Sequence, residues 1–398
     1  MRLSYGDKII RAPLIGVLIA LAILSDTATP FLARVAKAAA PDQTATAPSD
    51  SSPLVPFHPK RGHAHPLIAI IAENAGTETT DFIIPYGVLT QSGVAEVIAV
   101  GTRSGPIQMM PALKIAPQMT VTEFDARFPE GADYLFVPAV HNPDDKALLD
   151  FVRSQAHRGA IVIGICDGAW VVANAGLLDG RTATGHWYSL DSLQRKFATT
   201  TWVRNRRYVA DGTVVTTTGV TASIPVSLAL VESIAGRDKA MKVAGQLGVS
   251  DWSSVHDSNE FKLDWNFRLI AARNELSFWS HEKIGIAVSP GIDEIALALV
   301  ADPYSRTFRS QALTVSKSNA PIRTRRGLTI IPDVVAGTEK APARTLPSFE
   351  SLPPVPALDW ALAGIADAYG QPTAAFVAKQ MEYKTSESGV SQARETHD

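Results

Sequence analysis

Four short aliphatic runs, separated by segments with helical periodicity, constrain the fold of this chain most. The runs are of strand length and continuous enough to be buried on both faces, and they occupy residues 67–72, 96–100, 133–138 and 160–165. A β-branched run follows at residues 213–218, and the helical segments cover residues 79–91, 144–157, 168–175 and 223–235. Strands that alternate with helices predict an α/β sandwich with a parallel sheet over residues 66–240.

The chain outside this region has a looser pattern. After a mostly helical stretch at 241–273, strands are predicted at 283–288, 313–315 and 328–331, with a helix at 292–301. The last two strands are expected to pair around a basic run at 323–326, which is interpreted as a solvated turn or a phospholipid-facing patch. The remaining divisions are a linker at 41–65, an α+β extension at 241–331, a linker at 332–355, one terminal helix at 356–383 and a disordered tail at 384–398.

The first 40 residues have the order of an export signal. A basic stretch precedes an uncharged run at residues 12–24, which is too short to span a bilayer alone, and small residues follow at 36–40. Because the cleavage pattern lies far from the apolar run, an uncleaved membrane anchor over residues 9–35 is the alternative. Either version places the body of the chain outside the cytoplasm, in the periplasm or secreted.

Charge and cysteine content exclude several classes of function. The 37 basic and 39 acidic residues give a net charge of −2, which predicts no nucleic-acid partner. The single cysteine excludes an intrachain disulfide framework, and no spacing of ligands indicates a metal site or another cofactor.

The cysteine lies in the pattern of a nucleophile elbow. Cys166 follows a buried strand within Gly-x-Cys-x-Gly and precedes a helix, so a sharp turn would expose its side chain above the sheet. The helix N-terminus favours a thiolate, and we expect the pKa of the thiol to lie well below about 8.5. Asp167 is expected to point along the helix rim into solvent. A buried structural cysteine is the alternative interpretation.

These elements, in this order, resemble the ThiJ/PfpI family of the class I glutamine amidotransferase-like superfamily. The resemblance covers about residues 66–240 and is carried by residues 76–85, the elbow at 164–168, and residues 175–187 and 214–221. It implies a flavodoxin-like three-layer sandwich. It also implies a carboxylate from the first loop facing the cysteine, which Asp81 matches, and a histidine 20 residues after the cysteine, which is His186.

The chemistry of these positions follows from their residue types, because a carboxyl group close to a thiolate shares a proton with it. Asp81 would act as a general acid and His186 would orient or deprotonate the thiol. Backbone N–H groups of Ala139, Val140 and Asp167 would hold negative charge that develops on the substrate. A helix N-cap for Asp81 and a structural role for His186 remain alternatives.

Three departures from the family pattern bear on activity. Relatives often have Pro-Gly-Gly where this chain has Ala139 and Val140 after Pro138, and they carry a small or hydroxyl residue where it has Asp167. Glutaminases of this fold have a His-Pro-Glu sequence where this chain has residues 218–220, which read Thr-Gly-Val. Glutamine hydrolysis is therefore not expected.

Two classes of function follow. The first is a cysteine-dependent hydrolase or lyase acting on a small carbonyl or nitrile-like electrophile, with a small molecule as its partner. The second is a non-catalytic sensor or stress-response module that uses Cys166 for reversible oxidation or ligand binding. A ligand-binding domain like that of a transcription regulator ranks below both. The resemblance further implies a homodimer, and the N-terminus implies association with a membrane.

Overall fold

The computed structural model describes Leu54 and residues 65–384. Its first half contains twelve strands, which are β1 Leu67–Ala72, β2 Thr77–Glu78, β3 Glu96–Gly101, β4 Ile107–Met110, β5 Lys114–Ala116, β6 Met119–Thr120, β7 Tyr134–Val137, β8 Ile161–Gly164, β9 Thr182–Ala183, β10 Thr201–Trp202, β11 Tyr208–Asp211 and β12 Val214–Thr217. The helices of this half are α1 Thr79–Ser92, α2 Val121–Arg127, α3 Lys146–His157, α4 Gly168–Asn174, α5 Leu190–Lys196 and α6 Ser223–Ala235.

A seven-stranded sheet forms the centre of this half, in the order β11-β12-β8-β7-β1-β3-β6. Its neighbours pair in parallel, except for the edge pair β11 and β12. Alternate residues of β1 enter two separate hydrophobic clusters, with Ile68 and Ile70 on one face and Ala69 and Ile71 on the other. Because α1 and α6 cover the first face and α2, α3 and α4 the second, the predicted three-layer α/β sandwich is confirmed.

The second half adds further helices and strands. The helices are α7 Arg237–Leu247, α8 Trp265–Leu276, α9 Glu294–Ser305, α10 Pro354–Tyr369 and α11 Gln371–Gln380. The strands are β13 Glu282–Ala287, β14 Ser310–Ser316, β15 Ile322–Arg323, β16 Thr329–Ile330, β17 Val334–Val335 and β18 Arg344–Thr345. β17, β14, β13 and β18 form a parallel sheet, whereas β15 and β16 extend a sheet of the first half through β5.

Several sequence predictions for this half are wrong. β14 pairs with β13 and β17, and β16 pairs with β15 and β5, so the two strands expected to pair with each other lie in different sheets. The terminal segment forms two helices that separate at Gly370, and the stretch at 241–273 holds two helices with a loop between them. The expected linker at 332–355 contributes β17 and β18 to the parallel sheet.

The basic run at residues 323–326 is only partly solvated. Arg326 has an 8% exposed side chain and donates to Asp293 at 2.8 Å, with Glu294 at 3.4 Å. These acidic residues lie at the start of α9, so Arg326 ties the run to the helix, whereas Arg323 and Arg325 remain exposed in the turn.

Helix α9 packs closely on α1 and connects the two halves. A Cβ atom added to Gly87 of α1 would lie 2.4 Å from Cγ1 of Ile295, so only glycine admits this approach. The contact brings the end of α9 to the beginning of α1, where the first-loop carboxylates lie.

In the part of the chain that the structure describes, no helix is long and apolar enough to cross a membrane. The predicted export signal or anchor at residues 1–40, most of the 41–65 linker and nearly all of the predicted tail lie outside the described residues.

Candidate active site

Cys166 lies at the predicted strand-to-helix turn, between the end of β8 and the start of α4. Its φ of 56° lies in the left-handed region, which residues other than glycine adopt at an energetic cost. The Cys166 N–H donates to Oγ1 of Thr217 at 3.1 Å, and the residue is 5% exposed. The strained turn and this hydrogen bond fix the sulfur at the carboxyl edge of the sheet.

The turn depends on Gly168, the first residue of α4. A Cβ atom at this position would lie 2.0 Å from the carbonyl oxygen of Val137, a main-chain atom that cannot move aside without displacing β7. The close approach therefore holds the elbow against the strand end that leads into Ala139.

Gly168→Ala is expected to lower the free energy of unfolding by about 3 kcal/mol or more, because the added methyl group clashes with the main chain. Gly245→Ala, on α7, is the matched control because no atom lies within 4 Å of its added Cβ. The control should stabilise by about 0.5–1 kcal/mol. Urea unfolding of both variants measures the difference, and equal midpoints would show that the turn tolerates a side chain.

Asp81 lies in the first turn of α1 and is fully buried. Its Oδ2 accepts the Ala139 N–H at 3.1 Å, whereas its Oδ1 is buried and has no hydrogen-bond partner among the described residues. The N-cap of α1 is Glu78, whose carboxylate accepts the Asp81 N–H at 2.6 Å. The alternative of Asp81 as an N-cap is therefore wrong, and its carboxyl group is available for chemistry.

Glu78 is a second buried carboxylate that sequence reasoning missed. Its Oε1 accepts from Arg306 at 2.5 Å, and Arg306 also pairs with the fully buried Asp302. No pattern in the sequence singles out Glu78, and its partner Arg306 lies 228 positions further along the chain, directly after α9. The second half of the chain thus supplies a cation to the carboxylates beside the cysteine.

The pKa of the Cys166 thiol is shifted in the direction opposite to the one expected. Burial first, then the negative charges of Asp81, Asp167 and Glu78, raise the pKa of the Cys166 thiol well above its usual value. The Asp167 N–H donates to the sulfur and opposes this shift. Burial likewise raises the pKa of Asp81 to about 8. The expectation of a low thiol pKa is therefore wrong, because the helix N-terminus does not compensate for desolvation and three neighbouring carboxylates.

Asp167 does not point along the helix rim into solvent. Its Oδ2 accepts from Oγ of Ser189 at 2.9 Å, and its Oδ1 is inaccessible and has no hydrogen-bond partner among the described residues. Burial raises the pKa of Asp167, and the nearby His186 lowers it. The carboxyl group therefore belongs to the site and is not screened by water.

His186 is held by the end of the described chain. Its Nε2 lies 3.2 Å from the carbonyl oxygen of Gln380, and its Nδ1 accepts the Tyr188 N–H at 3.3 Å. Both ring nitrogens therefore have main-chain partners. The structure places His186 near Asp167 but gives it no hydrogen bond to the sulfur.

The segment 379–382 packs on the same edge of the sheet. Glu382 accepts the Gly219 N–H with one carboxylate oxygen and lies 2.8 Å from Nε2 of His256 with the other. The Gly219 position is where glutaminases of this fold have their His-Pro-Glu sequence. No local pattern in the sequence indicates the pairing of His256 with Glu382, because the two residues are 126 positions apart in the chain.

Of the three backbone N–H groups expected to hold charge on the substrate, the one of Ala139 differs from those of Asp167 and Val140. The Asp167 N–H faces the sulfur, and Val140 lies opposite Thr77 in an isolated bridge. The Ala139 N–H is already used by Asp81, so it positions the acid and is not free to hold charge on a substrate. This assignment corrects the expectation for Ala139.

A parallel sheet with a cysteine on a strained strand-to-helix turn and a buried acid beside it defines a class of α/β proteins with an elbow nucleophile. The model of the DJ-1/PfpI family matches residues 67–233. Isonitrile hydratase of Pseudomonas putida is 33% identical over 171 residues, which are 42% of this chain and 72% of that protein. The chain belongs to the DJ-1/PfpI family.

Other relatives have different names. The transcriptional regulator CdhR of Pseudomonas aeruginosa is 37% identical over 117 residues, 29% of this chain and 34% of the regulator. Among solved structures, DJ-1beta of Drosophila melanogaster is 22% identical with a TM-score of 0.42, covering 47% of this chain and all of that one. A ThiJ/PfpI family protein of Pseudomonas syringae has the same identity and TM-score, covering 49% of this chain and 83% of that one.

Proposed function

We propose that this chain is a cysteine-dependent enzyme of the hydrolase or lyase type that acts on a small carbonyl or nitrile-like electrophile. The observation that carries the proposal is the buried carboxyl group of Asp81 beside Cys166, whose Oδ1 accepts from no N–H donor among the described residues and which interacts with the carboxyl group of Glu78. The similarity to an isonitrile hydratase supports a carbon–nitrogen triple bond as the group attacked.

The pKa and the hydrogen-bond partners of the two candidates favour Asp81 over His186 as the proton carrier. An ordinary aspartate, with a pKa near 3.8, is too weak a base to take a proton from a thiol. Burial raises the pKa of Asp81 to about 8, which makes its carboxylate a stronger base than that of an ordinary aspartate, although the same burial also raises the pKa of the thiol. His186 is less suited to this role because both of its nitrogens have main-chain partners.

The reaction with an isonitrile or nitrile then balances as an addition of water. The Asp81 carboxylate takes the thiol proton as sulfur bonds to the electrophilic carbon, and it returns this proton to the carbon of an isonitrile or the nitrogen of a nitrile. Water adds to the resulting thioimidate, with Asp81 moving the proton. Sulfur leaves with a proton, and the product is a formamide or an amide.

Backbone amides would stabilise negative charge during these steps. The Asp167 N–H already faces the sulfur and would stabilise a thiolate that leaves. We assign the Val140 N–H to charge on the substrate, while the Ala139 N–H holds Asp81 in place. A small substrate suits a cysteine that is only 5% exposed.

The proposal is tested by incubating the full chain with a small alkyl isonitrile. Turnover is measured as the loss of the isonitrile and the gain of the formamide. The rate is expected to rise with pH through a midpoint near 8. This follows because the carboxylate–thiol pair and the acid–thiolate pair both form by loss of one proton from the neutral pair. A rate that falls as the pH rises through 8, or a rate that depends on a group titrating near pH 4, would contradict the role of Asp81 as the proton carrier.

A redox or ligand sensor is the second candidate. Reversible oxidation needs an accessible thiolate, and Cys166 is buried with a raised pKa, so this geometry favours the enzyme. A role like that of a transcription regulator rests on matches that cover 25 to 37% of such proteins. We also propose, from the sequence, an extracytoplasmic location and a homodimer.

A further inference from the structure

The large apolar side chains that are most exposed lie close together in the sequence. We define the aromatic patch as Trp265, Leu269, Leu276, Phe278 and Trp279, with exposed fractions of 69, 55, 68, 72 and 76%. The rings of Phe278 and Trp279 lie 5.2 Å apart, edge to face. Exposed apolar side chains grouped in this way mark interaction sites, whereas single ones are ordinary.

Helix α8 is apolar on two faces. Phe267 and Ala271 turn inward, and the Phe267 ring contacts those of Trp187 and Phe376. Trp265, Leu269 and Leu276 recur at spacings of four and seven on the other face, which no described residue buries. The buried side chains Phe267 and Ala271 already attach α8 to the rest of the molecule. The outer apolar side chains are therefore free to contact a binding partner.

Within the stretch that carries the aromatic patch, the exposed charges are of one sign, and the exposed acidic residues Asp257 and Glu260 precede it. Among residues 261–283, the charged side chains that are exposed are Lys262, Arg273 and Lys283, all basic. The acidic residues of this stretch are half-buried, and two of them have partners. Asp264 pairs with Lys379 at 2.7 Å, and Glu282 accepts from Tyr369 at 2.5 Å. The stretch that carries the aromatic patch thus combines exposed aromatic rings with exposed basic side chains.

We propose that the aromatic patch binds to the surface of an anionic lipid bilayer, with α8 lying in the plane of the interface. Tryptophan and phenylalanine side chains partition to the boundary between headgroups and acyl chains, and the basic residues are attracted to anionic headgroups. A second copy of the chain fits less well, because a two-fold contact would bring the same basic residues together. The proposal does not depend on the reaction at Cys166.

Tryptophan fluorescence in the full chain tests this binding specifically. The seven tryptophans all follow residue 169, so their emission does not report on the apolar run near the N-terminus, even if that run holds the chain on vesicles. Vesicles of phosphatidylcholine and phosphatidylserine with brominated acyl chains should quench part of the emission, relative to the same vesicles without bromine. The double variant Trp265→Phe, Trp279→Phe should lose this quenched component.

Variants that keep Trp265 and Trp279 but change other residues of the aromatic patch test membrane binding without removing the fluorescent side chains. Leu269→Glu together with Phe278→Glu should abolish the quenching, because two carboxylates would enter the interface. Met241→Glu together with Val255→Glu is the matched control, since these side chains are 47 and 50% exposed outside the patch, and it should leave the quenching unchanged.

Three results would overturn the proposal. One is equal emission with brominated and plain vesicles when the chain is shown to sediment with them. Another is equal quenching by vesicles of phosphatidylcholine alone, which would remove the role of the basic residues. The third is protection of the patch tryptophans from iodide without vesicles, increasing with protein concentration, which would assign the patch to a second copy.

Discussion

Asp81→Asn is expected to lower turnover by about 10²–10⁴-fold while moving alkylation of Cys166 to lower pH. The asparagine oxygen can still accept the Ala139 N–H, so the fold is kept, but the side chain cannot carry a proton between sulfur and substrate. The charge of Asp81 raises the pKa of the thiol, and its removal lets the thiol ionise earlier. Initial rates with an isonitrile and the pH dependence of iodoacetamide labelling measure the two effects.

Asp150→Asn is the matched control, because Asp150 is half exposed and pairs only with the exposed side chains of Lys146 and Arg153. It should change neither quantity. Turnover of Asp81→Asn within threefold of the wild type would remove Asp81 from the mechanism. An alkylation midpoint that rises would show that the carboxyl group stabilises the thiolate.

Arg306→Met is expected to lower the free energy of unfolding by about 3–5 kcal/mol, because it leaves Asp302 and Glu78 buried without their cation. In the folded fraction, the pH midpoint of turnover should rise, since the charge of Arg306 lowers the pKa of Asp81. Urea unfolding and the pH–rate profile measure these two consequences separately.

Arg204→Met is the control for this substitution. Arg204 lies 2.5 Å from Asp191, the same distance as Arg306 from Glu78, but its side chain is 46% exposed and that of Asp191 is 69% exposed. It should cost less than about 1 kcal/mol. Equal losses for the two arginines would mean that the cluster around Arg306 is no more than a surface ion pair, and an unchanged pH midpoint would separate it from the site.

The sequence was sufficient for the five inner strands of the central sheet, but it did not predict the edge strands β6 and β11. A strand buried on both faces is a continuous aliphatic run, and β1 has the bounds that its pattern predicted, Leu67–Ala72. The nucleophile elbow could also be predicted from the sequence, because Gly168 and the strand before Cys166 are close to the cysteine in the chain. Prediction succeeded where one short segment contains the whole signal.

The rest of the site depends on contacts between distant residues. Arg306 and Glu382 reach the first half from 228 and 163 positions away, and no local pattern marks either of them. The thiol pKa was predicted in the wrong direction for the same reason. The helix N-terminus is visible in the sequence, whereas complete burial and the carboxylates around Cys166 are products of the fold.

The strands predicted at 283–288, 313–315 and 328–331 coincide with β13, β14 and β16, but their pairing was predicted wrongly. β15, β17 and β18 were missed because each contains two residues, which is too few for an alternating pattern to show. Pairing depends on contacts between distant segments, so the two strands expected to pair with each other belong to separate sheets.

The central claim is that Cys166 forms a covalent bond with a small electrophile during turnover. Mass spectrometry of the full chain, quenched with acid while it turns over an alkyl isonitrile, tests this claim most directly. We predict a mass increase equal to one substrate molecule, located on the peptide that contains Cys166 and absent from Cys166→Ala, which should make no formamide. Product formation by Cys166→Ala at the rate of the wild type, or an adduct on any other residue, would contradict the account.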